Sequence, residues 1–259
     1  MSSNERLLLL TLIIAFVAAI IYFLSRKQKP NGIPQPDVIK ALLESHVLFY
    51  QQLDEARKEA FEKRIGDFLR KTRVTGIKTI ADDLDRVFVA AAAIIPVFAY
   101  EWWEYRNIHE VLLYPGSFTE HFNLDGEGRN ISGMVGNGPL QNVMVLSQKD
   151  LRNGFLQPAD RSNTGIHEFV HLVDKTDGAT DGSPELLLPH PYALPWLKRM
   201  HQEMALIKAG GSDINPYGAT NEAEFLAVAS EYFFEQPLRM EGRHPELYAL
   251  MKKAFLPEK

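Results

Sequence analysis

A chain of 259 residues suits one ordinary globular domain carrying an appendage. Hydrophobic residues at 46% and charged residues at 24% exclude a disordered polymer, and a formal net charge of -5 with no basic stripe beyond a short cluster after residue 25 argues against nucleic acid as a partner. With no cysteine the chain has neither disulfides nor thiolate metal ligands, so any zinc it binds must use imidazole and carboxylate.

The first element in chain order is apolar. Leu7 to Leu24 runs without a charge or a proline. As a helix it covers about 27 Å, close to the thickness of a hydrocarbon core. The run is longer than a signal-peptide core, its upstream flank is weakly charged, and no small-x-small cleavage site follows, so it is expected to be an uncleaved transmembrane anchor over residues 1–25. Arg26, Lys27 and Lys29 follow the run, whereas Arg6 before it is offset by Glu5. The positive-inside bias then keeps the C-terminal side in the cytoplasm. Residues 26–36, basic and proline-rich, read as a linker, and the soluble domain is expected over residues 37–259.

Within that domain, residues 37–72 carry apolar positions at helical spacing, among them Leu53, Ala56, Ala60, Ile65, Phe68 and Leu69. Leu84 to Phe98 is a mostly apolar helix destined for the core. Val111–Tyr114 and Asn142–Leu146 read as short strands beside glycine-rich loops. A helix over Arg161–Asp177 is closed by Gly178, and a proline-rich loop follows. Helices over Trp196–Ala209, Asn221–Gln236 and His244–Phe255 complete the chain. The expected class is α+β, mostly helical, with a small sheet beside the helix that carries the motif described next.

That motif is His167-Glu168-Phe169-Val170-His171. Two histidines four apart on a helix share a face, one turn from each other, and can reach a single metal ion. Glu168 between them can turn toward the open coordination position and take a proton from an attacking water. Ile166, Phe169, Val170 and Val173 give the helix a buried face, and Ser162, Asn163 or Thr164 can cap its start. A zinc site of this type needs one more protein ligand. The metzincin pattern would place Gly at 174 and His at 177, but the chain has Asp174 and Asp177, which excludes that class. The helix starting at Asn221 offers Glu224 and Glu231, seven apart on one face and about 10 Å apart along the axis, while Glu222 points elsewhere. Periodicity does not choose between Glu224 and Glu231. Asp174, one turn beyond His171, is a candidate partner of the ligands or a contact to the following loop, and Glu231 is a candidate partner too.

The segments His167-Glu168-Phe169-x-His171-x-Val173-Asp174 and Tyr217-Gly218-x-Thr220-Asn221-Glu222-Ala223-Glu224-Phe225 resemble the active-site segments of the anthrax lethal factor peptidase domain. The same pair, with the run from Ala223 to Phe234, resembles the Mlc titration factor A family of zinc-dependent peptidases over most of the soluble domain. The resemblance implies a gluzincin-like, zincin-type fold, one zinc per chain held by His167, His171 and Glu224, Glu168 as general base and Tyr217 as an active-site tyrosine. It implies a peptide or protein substrate and leans toward aminopeptidase-like activity. The alternative is a membrane-tethered protein that sequesters a transcriptional regulator with little or no catalysis, since the family is named for such an association. A bacterial source is implied, so the anchor would lie in the inner membrane.

Overall fold

The computed structural model describes residues 32–119, 131–136, 142–157 and 162–257, and its compact unit runs from Ile33 to Lys259. The run 7–24 lies outside the described residues. Among those described, no helix is long and apolar enough to cross a membrane.

The helical N-terminal stretch is broken into three pieces, α1 (Pro36–His46), α2 (Leu48–Gln51) and α3 (Glu55–Lys71). Val47 takes an extended conformation that ends α1. Asp54 restarts the chain as the N-cap of α3, its side chain accepting from the Arg57 N–H at 2.9 Å. Phe61, Ile65, Phe68 and Leu69 then form the buried stripe of α3, at the spacing a helix requires.

Strand β1 (Arg73–Gly76) leads into α4 (Asp83–Ile94), whose start is a reciprocal box in which the Asp82 and Asp85 side chains each accept from the other's backbone N–H. From Val87 to Ile94 every residue of α4 is buried, so the helix is a central core element, and a 3-10 turn over Ile95–Val97 continues it. Burial of Asp85 is tolerated because Gln148 donates to it at 2.7 Å and Arg152 at 2.7 Å, from α5 (Gln148–Leu156).

The sheet contains β1, β2 (Glu110–Tyr114), β4 (Val143–Ser147) and β3 (Gly133–Val135), in the order β1-β2-β4-β3. β1 and β2 run parallel, as do β2 and β4, whereas β3 is antiparallel to β4 and lies at the edge. Two of these strands, β1 and β3, are not apparent in the sequence. Each is short and carries a glycine, and neither stands out as an apolar run.

Helix α6 (Thr164–Asp174) carries the histidine motif and buries Ile166, Phe169, Val170, Leu172 and Val173. A 3-10 turn over Lys175–Asp177 ends on Gly178, whose φ of 101° is the left-handed geometry of a helix-closing glycine. The remaining helices are α7 (Ala193–Lys208), α8 (Glu222–Glu235), α9 (Pro237–Arg243) and α10 (Pro245–Phe255). A 3-10 turn over Pro216–Ala219 precedes α8. α6 packs against α8 on one side, against α4 on another, and against β3 on a third. The result is α+β with helices dominant and a small mixed sheet beside α6.

Candidate metal centre

Helix α6 is held at its start by a side chain of α8. Asn163 is the N-cap, its Oδ1 accepting from the Ile166 N–H at 3.1 Å. The Asn163 backbone N–H donates to Glu231 Oε2 at 2.6 Å, and its side-chain amide donates to Glu235 Oε1 at 3.0 Å. The other oxygen of Glu231 lies 2.7 Å from His167 Nδ1. One carboxylate therefore fixes both the register of the two helices and the tautomer of His167, leaving Nε2 to face the cleft.

Helix α8 opens with Asn221 as its N-cap, accepting from the Glu224 N–H at 2.9 Å. Glu224 thus sits in the first helical turn, where the helix dipole favours a negative charge. Its Oε2 is 3.0 Å from His167 Nε2 and 3.4 Å from His171 Nε2, and the two imidazole nitrogens are 3.2 Å apart. His167, His171 and Glu224 are the group of residues brought together as candidate metal ligands. The other candidate, Glu231, stands behind His167.

These three donors fit a metal ion on chemical grounds. With Nδ1–H given to Glu231, the neutral His167 ring turns a lone pair toward a carboxylate oxygen and a second imidazole nitrogen. Electron-rich atoms at that separation need a cation among them, and no Lys or Arg of the described residues pairs with Glu224 or Glu231. A tetrahedral ion with bonds of about 2.0–2.1 Å to nitrogen and oxygen sets neighbouring ligand atoms about 3.3 Å apart, which matches this spacing. Burial pulls the His167 imidazole down, but its hydrogen bonds to Glu224 and Glu231 outweigh that and hold it well above its ordinary value. Burial likewise opposes ionisation of Glu224, and the two imidazoles overcome it to bring the carboxyl well below the usual range.

Glu168 is buried on the sheet side of α6. Burial raises its carboxyl above the ordinary value, and the neighbouring imidazoles pull it back only in part. Its closest structural constraint is Gly133 of the edge strand, where an added Cβ would fall 2.5 Å from Glu168 Cγ and 2.6 Å from Oε1. Glycine thus leaves the Glu168 carboxylate its place against β3, a role no sequence pattern marked. Tyr217, half exposed on its 3-10 turn, places its ring 6.1 Å from that of His167. Burial, with the Glu224 and Glu168 carboxylates nearby, pushes its hydroxyl up. Asp174 turns out to be a loop contact. It is buried, Oδ2 accepts from the Gly182 N–H at 3.0 Å, and burial pushes its carboxyl up to about 6 against the pull of that hydrogen bond.

The cluster opens into a cavity of about 490 Å³, lined on the sheet side by Ile131, Gly133, Met134 and Val135 and on the other by Lys175 and Tyr217. The strand beside the cleft is β3. The run Asn142–Leu146, read from the sequence as a strand, falls on the interior β4, which has a neighbour on each side, so its backbone is already paired.

A family model described as glucose-regulated metallo-peptidase M90 matches residues 23–256. The chain is 31% identical over 200 residues to a Mlc titration factor A of Escherichia fergusonii, covering 70% of this chain and 72% of that protein. It is 27% identical over 205 residues to the Mlc titration factor A of Pectobacterium atrosepticum, covering 73% and 74% of the two chains. An uncharacterized protein of Synechocystis is 26% identical over 238 residues, covering 87% and 86%.

Proposed function

The chain belongs to the glucose-regulated metallo-peptidase M90 family, and from that premise we propose that it is a zinc-dependent peptidase with His167, His171 and Glu224 as ligands. The observation that carries the reading is the convergence of three lone-pair donors within 3.4 Å, with no Lys or Arg among the described residues paired to the carboxylate. A donor set of two imidazoles and one carboxylate is one that zinc takes in catalytic sites, with a position left open. When bound, the ion supplies Lewis-acid polarisation of the scissile carbonyl and acidifies water.

The chain's own residues do the rest. Glu168, whose carboxyl burial raises above its ordinary value, takes the proton from the attacking water and hands it to the leaving amine. Tyr217, kept protonated by its raised pKa, donates a hydrogen bond to the carbonyl oxygen as negative charge gathers there. Glu231 orients His167. The outer edge of β3 offers backbone groups to an extended substrate, with Gly133 bringing it close to Glu168. Cleavage of the aminopeptidase type is part of the reading. So is anchorage by residues 7–24 in a bacterial inner membrane with the domain in the cytoplasm, which alkaline carbonate extraction of membranes checks.

The test is peptide hydrolysis by the full chain with its metal measured. Chelation should abolish cleavage and added zinc restore it. Glu168→Gln should keep one ion per chain while the rate falls about 10²–10⁴-fold. Cleavage that survives chelation would sink the proposal. The relatives' name, Mlc titration factor A, favours a second reading, in which the chain binds a transcriptional regulator such as Mlc. If regulator binding survives in Glu168→Gln, the two roles are separable.

A further inference from the structure

We propose that Asp174 and Gly182 form a positioning clamp that seats the first turn of α8 against the end of α6 and so sets the reach of Glu224 toward the two imidazoles. This role rests on the reading of His167, His171 and Glu224 as ligands of one ion.

Helices α6 and α8 pass each other in opposite senses. The start of α6 meets the later turns of α8 through Asn163, Glu231 and Glu235, and the end of α6 faces the first turn of α8, where Glu224 lies near His171. A single tie fixes a point of contact but not the angle between two rods. Glu222 and Glu231 are about 13 Å apart along the axis, so a tilt of about 5° about the Glu231 tie moves the start of α8 by about 1 Å. Ligand distances in a metal site hold to about 0.2 Å. The cluster therefore needs a second tie at the end of α8 that carries Glu224.

Gly182 supplies it. Its N–H donates to Oδ2 of Asp174, the last residue of α6, at 3.0 Å, and its carbonyl accepts from Trp196 Nε1 of α7 at 2.8 Å. Trp196 is buried and packs on Phe225 of α8 at 6.3 Å between ring centroids. Gly182 has a φ of 73°, and a Cβ there would fall 2.2 Å from the Glu222 carbonyl oxygen and 2.5 Å from its carbon. Left-handed backbone and close approach both call for glycine. Residue 182 is thus gripped from α6 and α7 while its Cα rests on the peptide between Glu222 and Ala223. The same segment walls the cleft, which Thr180 and Ala223 both line. Asp174 is 1% exposed, and its Oδ1 is buried without a hydrogen-bond partner. A carboxyl half satisfied in the interior costs stability. What Asp174 provides in return is the bond that carries α6 across to Gly182.

The test reads zinc affinity of the folded full chain by chelator competition, the visible absorption of bound Co²⁺, and amide hydrogen exchange in the metal-free chain. Asp174→Ala and Gly182→Ala should each weaken zinc binding about 10–100-fold and alter the Co²⁺ bands as the carboxylate moves off the ion. Asp174→Asn keeps an acceptor for the Gly182 N–H and should bind zinc within about threefold of the native chain. In the metal-free chain Asp174→Ala should speed exchange of the Glu224 and Phe225 amides about tenfold, more than at the later turns of α8. Leu43→Ala, buried in α1, should lower the melting temperature yet leave zinc affinity within about twofold. Zinc affinity in Asp174→Ala within about twofold of native, a loss in Asp174→Asn as large as in Asp174→Ala, or an equal loss in Leu43→Ala overturns the clamp. The two Asp174 variants decide the matter should Gly182→Ala not fold. If the native chain binds no zinc, the metal reading fails, and the clamp stands or falls on whether Asp174→Ala speeds exchange at Glu224 and Phe225.

Discussion

Two imidazoles in this chain are each held between two carboxylates, and their surroundings differ in one respect. His167 lies between Glu231 at 2.7 Å and Glu224 at 3.0 Å. His244 lies between Asp213 at 2.9 Å and Glu203 at 3.0 Å. Around His244 the protein supplies its own positive charge. Arg239 reaches Asp213 at 3.0 Å, Arg243 approaches it at 3.9 Å, Arg199 stands 3.6 Å from Glu203 and also pairs with Glu246, and Tyr232 donates to Asp213 at 3.1 Å. Around His167 a second imidazole takes the place of the arginines. The first arrangement is a closed network that ties α7, α8, α9 and the start of α10 together. The second leaves lone pairs that a metal ion can satisfy. Residue types alone do not distinguish them; the sign of the charge left over does.

The sharpest way to break this contrast is Glu224→Ala, which should reduce bound metal from one ion per chain to near none and remove hydrolysis, as elemental analysis and peptide digestion would register. Retention of the ion there, with its loss in Glu231→Ala, would mean the ligand lies two turns further along α8. Next in size is Gly133→Ala. The added Cβ must displace the Glu168 carboxylate, so the rate should fall about 10²-fold while metal content holds. Unchanged kinetics would show that β3 yields instead. Glu231→Gln should weaken metal affinity about 10–100-fold, measured by competition with a chelator, because the amide is a poorer acceptor for His167 Nδ1–H.

The smallest effect belongs to the other cluster. His244→Gln should leave metal binding untouched and cost about 2 kcal/mol of stability. Hydrogen bonding to Glu203 is the largest influence on His244 and raises its pKa, burial opposes it, and Asp213 adds a further rise. Its stabilising effect is therefore complete below the unfolded value of 6.5 and fades as pH rises through the folded value. Asp213 behaves in the opposite sense. Burial would raise it, but His244, Tyr232 and Arg239 bring it down to about 2, so its contribution is present above 3.8 and is lost as pH falls toward 2. Thermal melts of the native chain and His244→Gln should differ most at mildly acidic pH and converge at alkaline pH. A difference that is constant across that range would detach His244 from the network's charge.

Much of the candidate site was legible in the linear chain. The spacing of His167, Glu168 and His171 needs only a helix to converge, and the N-terminal cap and apolar stripe that make that helix are local features. The helical dominance, the glycine closure at 178 and the burial of Leu84–Phe98 were equally local. The stretch over 37–72, whose spacing indicates helix but not where helices end, divides at Val47 and again before Asp54, where a cap competes with helix continuation. The edge strand beside the cleft escaped notice because β3 has three residues and one glycine, and its identity as a strand depends on pairing with β4.

Sequence by itself determined which side chains were available: two histidines on one helical face with a glutamate between them, and two further glutamates seven apart on another helix. Only the tertiary structure decided how they divide the work. The way α8 lies against α6 lets the carboxylate in its first turn reach both Nε2 atoms, and two turns later the next carboxylate meets Nδ1 of His167 from behind. Helical periodicity specifies the face a residue occupies, whereas the depth at which its tip meets another helix is set by packing between distant segments.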